Sequence, residues 1–159
     1  MSDDLAPSLV LGTVVETQST IEGLMVRVQR LDQSVDIETD WILMSSPMAG
    51  EKAGFCFSPE PDDVAVIAFC GERPIILGFI YPGGVETPTS DPKERTIQSR
   101  DGNALILIDG DKSGITLRDK HKNEITMNAD GITIKTDGKF TVEAGGTATI
   151  KGATVELNP

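Results

Sequence analysis

Apolar and polar residues alternate along short segments of the chain, which is the period of a half-buried β-strand. In the segment LMVRVQR (24–30), Leu24, Val26 and Val28 fall on one predicted face and Arg27 on the other. No stretch has a sustained period of 3.6 residues, so we expect little helix. The pattern predicts six strands in the first half of the chain, at residues 9–17, 24–30, 36–45, 54–58, 64–70 and 74–81.

These short strands favour a small closed barrel over a sandwich, and we predict an OB-like, five-stranded Greek-key barrel. The last three segments are nearly continuous apolar runs, as expected of strands that are covered on both faces. Gly12 predicts a bend or bulge in its strand, and Gly78 a bulge or a close backbone approach. The stretch CGERP (70–74) predicts a hairpin turn.

The second half of the chain carries a repeat. Residues 82–96, rich in proline, glycine and polar residues, read as a linker. Beyond it, apolar pairs recur with spacings of 9, 10, 7, 8, 8 and 7 between first members, and glycines lie between many of them. Such a repeat indicates a β-solenoid or β-helix. The pairs are Ile106/Ile108, Ile115/Leu117, Ile125/Met127, Ile132/Ile134, Phe140/Val142, Ala148/Ile150 and Val155/Leu157.

One copy of this repeat cannot hold itself together. Fixing each residue costs about 1–2 kcal/mol of backbone entropy, whereas a fully buried aliphatic side chain returns only about 1.5–3 kcal/mol. We therefore predict a trimer in which each chain contributes one strand per face and the next chain continues the sheet. A flexible tail is the alternative, but β-branched residues are enriched here and depleted in disordered segments. The predicted trimer core is Ile106, Ile108, Ile115, Leu117, Ile125, Met127, Ile132, Ile134, Phe140, Val142, Ile150, Val155 and Leu157.

The charge of the chain argues against nucleic-acid binding, one function that an OB barrel can have. Lysine and arginine total 14 and aspartate and glutamate 25, which leaves a net charge of −11. A nucleic-acid binder needs a cationic face, and no basic run is present. The N-terminal segment lacks a signal-peptide core and no run approaches eighteen apolar residues, so we expect a protein made in the cytoplasm that does not span a membrane.

No catalytic constellation is present, and we expect neither enzymatic activity nor a cofactor. Cys56 and Cys70 lie in apolar stretches without metal-ligand spacing, so buried free thiols are expected. His121 is the single histidine, which excludes an intrachain zinc site of several histidines. Three copies of His121 on a trimer axis are the one candidate metal site.

The segment 40–81 carries a set of coupled motifs. It has a tryptophan after an acidic residue, then P-x-A-G, G-F-x-F-x-P-E and a P-x-x-L-G-x-x-Y ending. In these motifs the segment resembles the baseplate assembly protein V and VgrG spike family. Asp62 stands where that family usually has a glycine, which is a departure at one turn. We expect structural roles for the motif residues Trp41, Pro47, Gly50, Gly54, Phe55, Pro59, Glu60, Pro74, Gly78 and Tyr81.

The resemblance implies an N-terminal OB domain followed by a C-terminal trimeric β-helix, which together form the central spike of a contractile tail or related injection machine. The expected layout is an arm (1–8), a barrel (9–81), the linker (82–96) and a triple-stranded β-helix (97–159). The protein would be a structural, membrane-piercing needle of a virion baseplate or an injection particle, in transient contact with the target envelope. Its barrel end would plug the tail tube through a hub protein. The linker leaves no room for the lysozyme domain that some relatives insert there.

Some phage spikes of this family end in a His-x-His motif that holds iron, and this chain has none. A blunt trimeric end exposes strand edges that need a cover. The family precedent is a PAAR-type tip protein. We predict that it docks on Val155, Glu156, Leu157, Asn158 and Pro159.

Two rival functions stay open at this point: a β-helix fibre that binds carbohydrate or a receptor on the host surface, and nucleic-acid binding through the barrel. The fibre would need aromatic stripes and acid pairs, and the tail offers only Phe140 as an aromatic residue. The sequence does not distinguish a phage tail from a tailocin or a secretion system.

Overall fold

The computed structural model describes residues 8–34, 37–70 and 73–156. The chain divides into two compact units, Met1–Glu86 and Thr87–Pro159. All regular structure in the described ranges is β-sheet, which confirms the predicted all-β class. The described residues include no helix that could cross a membrane.

The first unit is built on a closed five-stranded barrel with the neighbour order β1-β2-β3-β7-β6, in which β6 returns to pair with β1. The β3–β7 pair is parallel and the other neighbours are antiparallel. This order confirms the prediction of a small five-stranded barrel. The strands of the unit are β1 (Ser8–Thr20), β2 (Gly23–Arg30), β3 (Ile42–Met44), β4 (Ala49–Gly50), β5 (Ala53–Gly54), β6 (Val64–Cys70) and β7 (Arg73–Ile80).

The barrel interior is aliphatic because alternate residues of each strand point inward. In β2, Val26 and Val28 are completely buried, as the alternation of that segment predicts. Each fully buried aliphatic side chain contributes about 1.5–3 kcal/mol, so a handful of them supports a small barrel. The core residues are Val14, Val26, Val28, Ile42, Ala65, Ile67 and Ile76.

The two barrel glycines differ in role. A Cβ on Gly12 would lie 3.1 Å from the carbonyl oxygen of Gln29, so this glycine permits a close approach, while the bulge of β1 lies further on, between Val14 and Glu16. Gly78 has open space around its Cβ position and lies beside the bulge of β7, where the register shifts between Val66 and Ile67.

Two of the predicted strands need correction. In the predicted strand 54–58, residues 55–58 form no strand. Gly54, with a positive φ of 147°, lies before them, Pro59 follows them, and the barrel closes without these residues. In the described part of the predicted strand 36–45, which is 37–45, only Ile42–Met44 is a strand, and an isolated bridge joins Glu38 to Gln29.

The prediction of buried thiols is wrong for Cys56, a free cysteine that is exposed because the run 55–58 lies outside the barrel strands. The side chain of Cys70 and the turn at residues 71–72 lie outside the described residues.

The second unit contains a five-stranded antiparallel sheet in chain order. Its first four strands begin at ten-residue intervals, and β8 starts inside the segment predicted as a linker. Both neighbours of β9, β10 and β11 belong to the same chain. The prediction that each chain contributes a single strand per face is therefore wrong for residues 94–135, because three five-residue turns and one two-residue turn let the chain fold back on itself. The strands are β8 (Glu94–Gln98), β9 (Ala104–Ile108), β10 (Gly114–Arg118), β11 (Glu124–Asn128) and β12 (Gly131–Lys135).

Candidate assembly surface

One face of the β8–β12 sheet is almost entirely aliphatic. Directly paired residues of antiparallel strands lie on the same face, so the strand register assigns every side chain to a face. We call this surface the apolar face. Its first row is Arg95, Leu107, Ile115, Met127 and Ile132, and its second row is Ile97, Leu105, Leu117, Ile125 and Ile134.

The apolar face has no cover among the described residues. Seven of its large side chains are exposed, from 37% at Ile115 to 72% at Ile132, and Leu105 and Met127 are half-buried. Contiguous exposed apolar surface of this kind marks an interaction site in a protein that folds in water. The geometry therefore supports burial against another surface.

In β9, the register places two residues of the predicted trimer core on the other side of the sheet. Ile106 and Ile108 lie on the opposite face, where Ile106 is paired with Thr96 and Thr116. The segment ALILI (104–108) is apolar on both faces, so the strand alone does not reveal which pair belongs with Ile115 and Leu117. Sequence reasoning missed Ile97, Leu105 and Leu107, although the ten-residue interval between strands would have assigned them.

A row of polar side chains borders the apolar face at one end of the strands. The Nδ2 of Asn103 donates to Ser99 Oγ (3.1 Å), and the Nδ2 of Asn123 donates to Asp119 Oδ2 (2.7 Å). Thr136 Oγ1 donates to Asn123 Oδ1 (2.6 Å). We call these five residues the polar ladder, and they satisfy one another beside the aliphatic rows.

Asp119 organises one turn of this ladder. Its Oδ1 accepts the backbone N–H groups of His121 (2.8 Å) and Asn123 (3.0 Å). The side-chain hydrogen bond from Asn123 is the main cause that lowers the pKa of Asp119, and the backbone N–H donors add to it. The carboxylate thus stays charged and holds the turn closed in neutral solution.

At the opposite end of the strands, charged residues border the apolar face. Arg95 forms an ion pair with Asp109 through its Nη1 atom, and the same nitrogen donates to the carbonyl oxygen of Lys93. The pair is well exposed, so it contributes little to stability in the single chain.

Residues 136–156 contain no strand in the described chain. Their apolar side chains are exposed, with fractions of 61% at Phe140, 70% at Val142 and 82% at Ile150. The backbone groups of a segment without strands need hydrogen-bond partners from elsewhere when its apolar side chains become buried. Val155 and Glu156 of the predicted tip-docking group are exposed, while Leu157, Asn158 and Pro159 lie outside the described residues.

His121 lies exposed in the turn between β10 and β11. Within the described ranges, no three His, Cys, Asp or Glu side chains are grouped so as to hold a metal ion.

The family motif in the barrel has local structural roles. A Cβ on Gly54 would lie 2.4 Å from the carbonyl oxygen of Met48, so only glycine fits this position of the β4–β5 hairpin. Pro59 is buried, and its carbonyl oxygen accepts from Thr17 Oγ1 at 3.0 Å. Phe55, by contrast, is half exposed and stacks with Phe57 at a ring-centroid distance of 6.4 Å.

Arginines on the barrel surface are paired with carboxylates. Arg27 lies between Glu16 and Glu38 and its guanidinium is 5.7 Å from the ring centroid of Trp41. The side chain of Arg30 forms an ion pair with Asp32 at 2.6 Å. These cations are neutralised locally and do not form the charged groove that a single-stranded nucleic acid requires.

Comparison with family models assigns a description to each unit. Residues 10–81 match the type VI secretion system/phage-baseplate injector OB domain. Residues 94–159 match the phage baseplate V C-terminal trimerisation domain. The search of curated proteins found no match.

Proposed function

We propose that this chain, which belongs to the baseplate V and VgrG-type family of spike proteins, is the central, envelope-piercing spike of a contractile tail or related injection system. Its family domains make it a structural component of a baseplate or injection particle, and its C-terminal domain is a trimerisation domain. The observation that carries the proposal is the uncovered apolar face, followed by a segment without intrachain strands.

Trimerisation gives the apolar face its partner. Three copies related by a threefold axis place their apolar faces toward one another and bury the aliphatic rows. Neighbouring strands are spaced about 4.8 Å apart, so the five strands of each copy supply about 20 Å of spike length. The apolar pairs of residues 136–156 continue the shaft, with strands shared between copies.

A shaft of this kind is stiff because its hydrogen bonds run along the axis. The inner strands β9, β10 and β11 bond to the strands above and below them, and shared strands in residues 136–156 would continue the ladder to the tip. Contraction of a sheath would drive this needle through an envelope without turnover of a substrate. The protein is then not an enzyme, and its work is mechanical.

The two ends of the spike need different partners. We assign the barrel end to a hub protein, and the exposed Met48, Phe55 and Phe57 around the β4–β5 hairpin support a protein contact there. We assign the far end to a PAAR-type tip protein, which would cover the apolar side chain of Val155 and the strand edges beside it.

Two measurements test the proposal. Light scattering should give the mass of a trimer at micromolar concentration, and antibody-labelled particles should carry the protein at the distal end of the tail tube in electron micrographs. A monomer in the first measurement, or label along the tail fibres in the second, would contradict the spike.

A further inference from the structure

The outer surface of the barrel is apolar on one side. In β6, Ala65 and Ile67 are buried in the core, and Val64 and Val66 point outward and are half-buried. Apolar partners on the neighbouring strands lie on the same side, because Val66 pairs with Leu11 and Val64 pairs with Ile80. We call this surface the outer barrel patch; its exposed residues are Leu9, Leu11, Leu43, Ile75, Leu77 and Ile80.

The patch is exposed and free of charged side chains. Exposed fractions reach 67% at Leu9, 45% at Leu43 and 52% at Leu77. The Arg27 cluster with Glu16 and Glu38 lies elsewhere, where β1 pairs with β2. Strands that are apolar on both faces are typical of sheets covered on both sides, and a barrel covers only one of them.

The trimerisation domain brings potential covers close. Residues 81–93 join β7 to β8, and these thirteen residues span at most about 45 Å when fully extended. Short tethers of this kind hold linked domains at effective concentrations in the millimolar range. Three barrels of one trimer are therefore held near one another whether or not any other protein is present.

We propose that the outer barrel patch packs against the barrels of the other two copies in the same trimer. The inference rests on the homotrimer of the proposed function. Threefold contacts are heterologous, so a broad patch can meet each neighbour with a different part of its surface. A charge-free contact also suits copies that each carry a net charge of −11, because electrostatic repulsion opposes contact through the rest of the surface.

The test is photo-crosslinking in the full chain. A benzoylphenylalanine at Leu9 reports on the patch, and the same probe at Gln33, an exposed position in the loop after β2, is the matched control. Light scattering first establishes the trimer mass. After irradiation and boiling in detergent, we expect covalent dimers and trimers from the Leu9 protein and only monomers from the Gln33 protein.

A second variant checks the same contact without a probe. Leu43→Glu places a charge in the patch outside the barrel core and should increase the radius of gyration in X-ray scattering while the trimer mass stays unchanged. Gln33→Glu should leave the radius unchanged.

A trimer that gives no crosslink between copies at Leu9 would overturn the inference and leave the proposed spike intact. Crosslinks that form only to another protein, in assembled particles, would overturn it in the same way. A monomeric mass would instead contradict the proposed function itself.

Discussion

Lys122 adopts the left-handed backbone conformation at the turn position that Gly102 holds in the equivalent turn twenty residues earlier. The φ angles are 69° and 88°. In each turn, the N–H of this residue donates to the carbonyl oxygen three positions back, of Asp119 or Ser99. The same hairpin turn therefore occurs twice at one end of the strands, once with glycine, which adopts this conformation readily, and once with lysine.

Lys122→Gly should stabilise the second unit. A non-glycine residue in the left-handed region costs about 1–2 kcal/mol, and glycine avoids most of this cost. We expect a gain of about 1 kcal/mol per chain, measured as a higher midpoint in denaturant. Lys112→Gly, in the turn before β10 and without a positive φ, is the control and should bring no gain. Equal effects of the two variants would contradict the explanation.

Ile134→Asp should abolish the trimer and Thr133→Asp should not. The two residues are neighbours on the edge strand β12, are both exposed in the single chain and point to opposite faces of the sheet. On the apolar face, trimerisation would bury three carboxylates, each at a cost of several kcal/mol. Mass measurement by light scattering distinguishes the two proteins. A trimeric Ile134→Asp protein would show that the apolar face is not the interface.

Acid should loosen the turn at Asp119. Its pKa is lowered in the folded protein, so its contribution to stability is fully present above the unfolded value of about 3.9. This contribution is lost as the pH falls below that value and through the folded pKa. We expect the melting temperature of the wild type to fall more steeply between pH 5 and pH 2, roughly the window of a carboxyl titration, than that of Asp119→Asn. Parallel profiles would argue against a role of the carboxylate.

Gly54→Ala should destabilise the β4–β5 hairpin. The added methyl would clash with the carbonyl oxygen of Met48, and the φ of 147° is strained for alanine. We expect a loss of about 1–3 kcal/mol in the unfolding of the barrel. Gly50→Ala in the same hairpin, whose Cβ would lie 3.7 Å from the nearest atom, should be tolerated. Similar stabilities of the two variants would contradict this prediction.

Truncation after Thr136 should leave the sheet folded but remove the detergent resistance of the trimer. The β8–β12 sheet closes its hydrogen bonds within one chain, and Thr136 completes the polar ladder, so both should survive. The shared strands proposed for residues 137–156 would be missing, and resistance of the trimer to detergent should be lost. Gel electrophoresis without boiling provides the readout. A truncated trimer that still resists detergent would place the locking interactions in the sheet.

The barrel could be predicted closely because its signals are local. Alternation in β2 puts Val26 and Val28 in the core whatever the rest of the chain does. The predicted strand around Phe55 and Phe57 is wrong because of the tertiary structure. The barrel closes through β3 and β7, and no neighbour remains for a further strand. Hydrophobicity alone does not reveal that a place in a sheet is already taken.

The sequence indicates the apolar residues of most strands in the second unit, but not the register of β9. Pairs such as Ile115/Leu117 are flanked by polar residues, so their common face is visible in the sequence. In β9 every residue is apolar, and the face of Leu107 is decided only by its pairing with Ile115. The sequence does not reveal the polar ladder, because Asn123 and Thr136 are separated along the chain and meet only when β11 and β12 pair.

In residues 94–135 each strand pairs with the next strand in the chain, and this has a kinetic consequence. Each strand finds its partner among residues that have just left the ribosome, and such low contact order favours rapid folding. Three nascent chains can thus meet with their sheets already in register, which leaves only the final segment to search for partners. In the proposed spike, strands would therefore pair first in the prefolded sheet and then toward the C-terminal end. This order avoids the misaligned fibres that open repeats form.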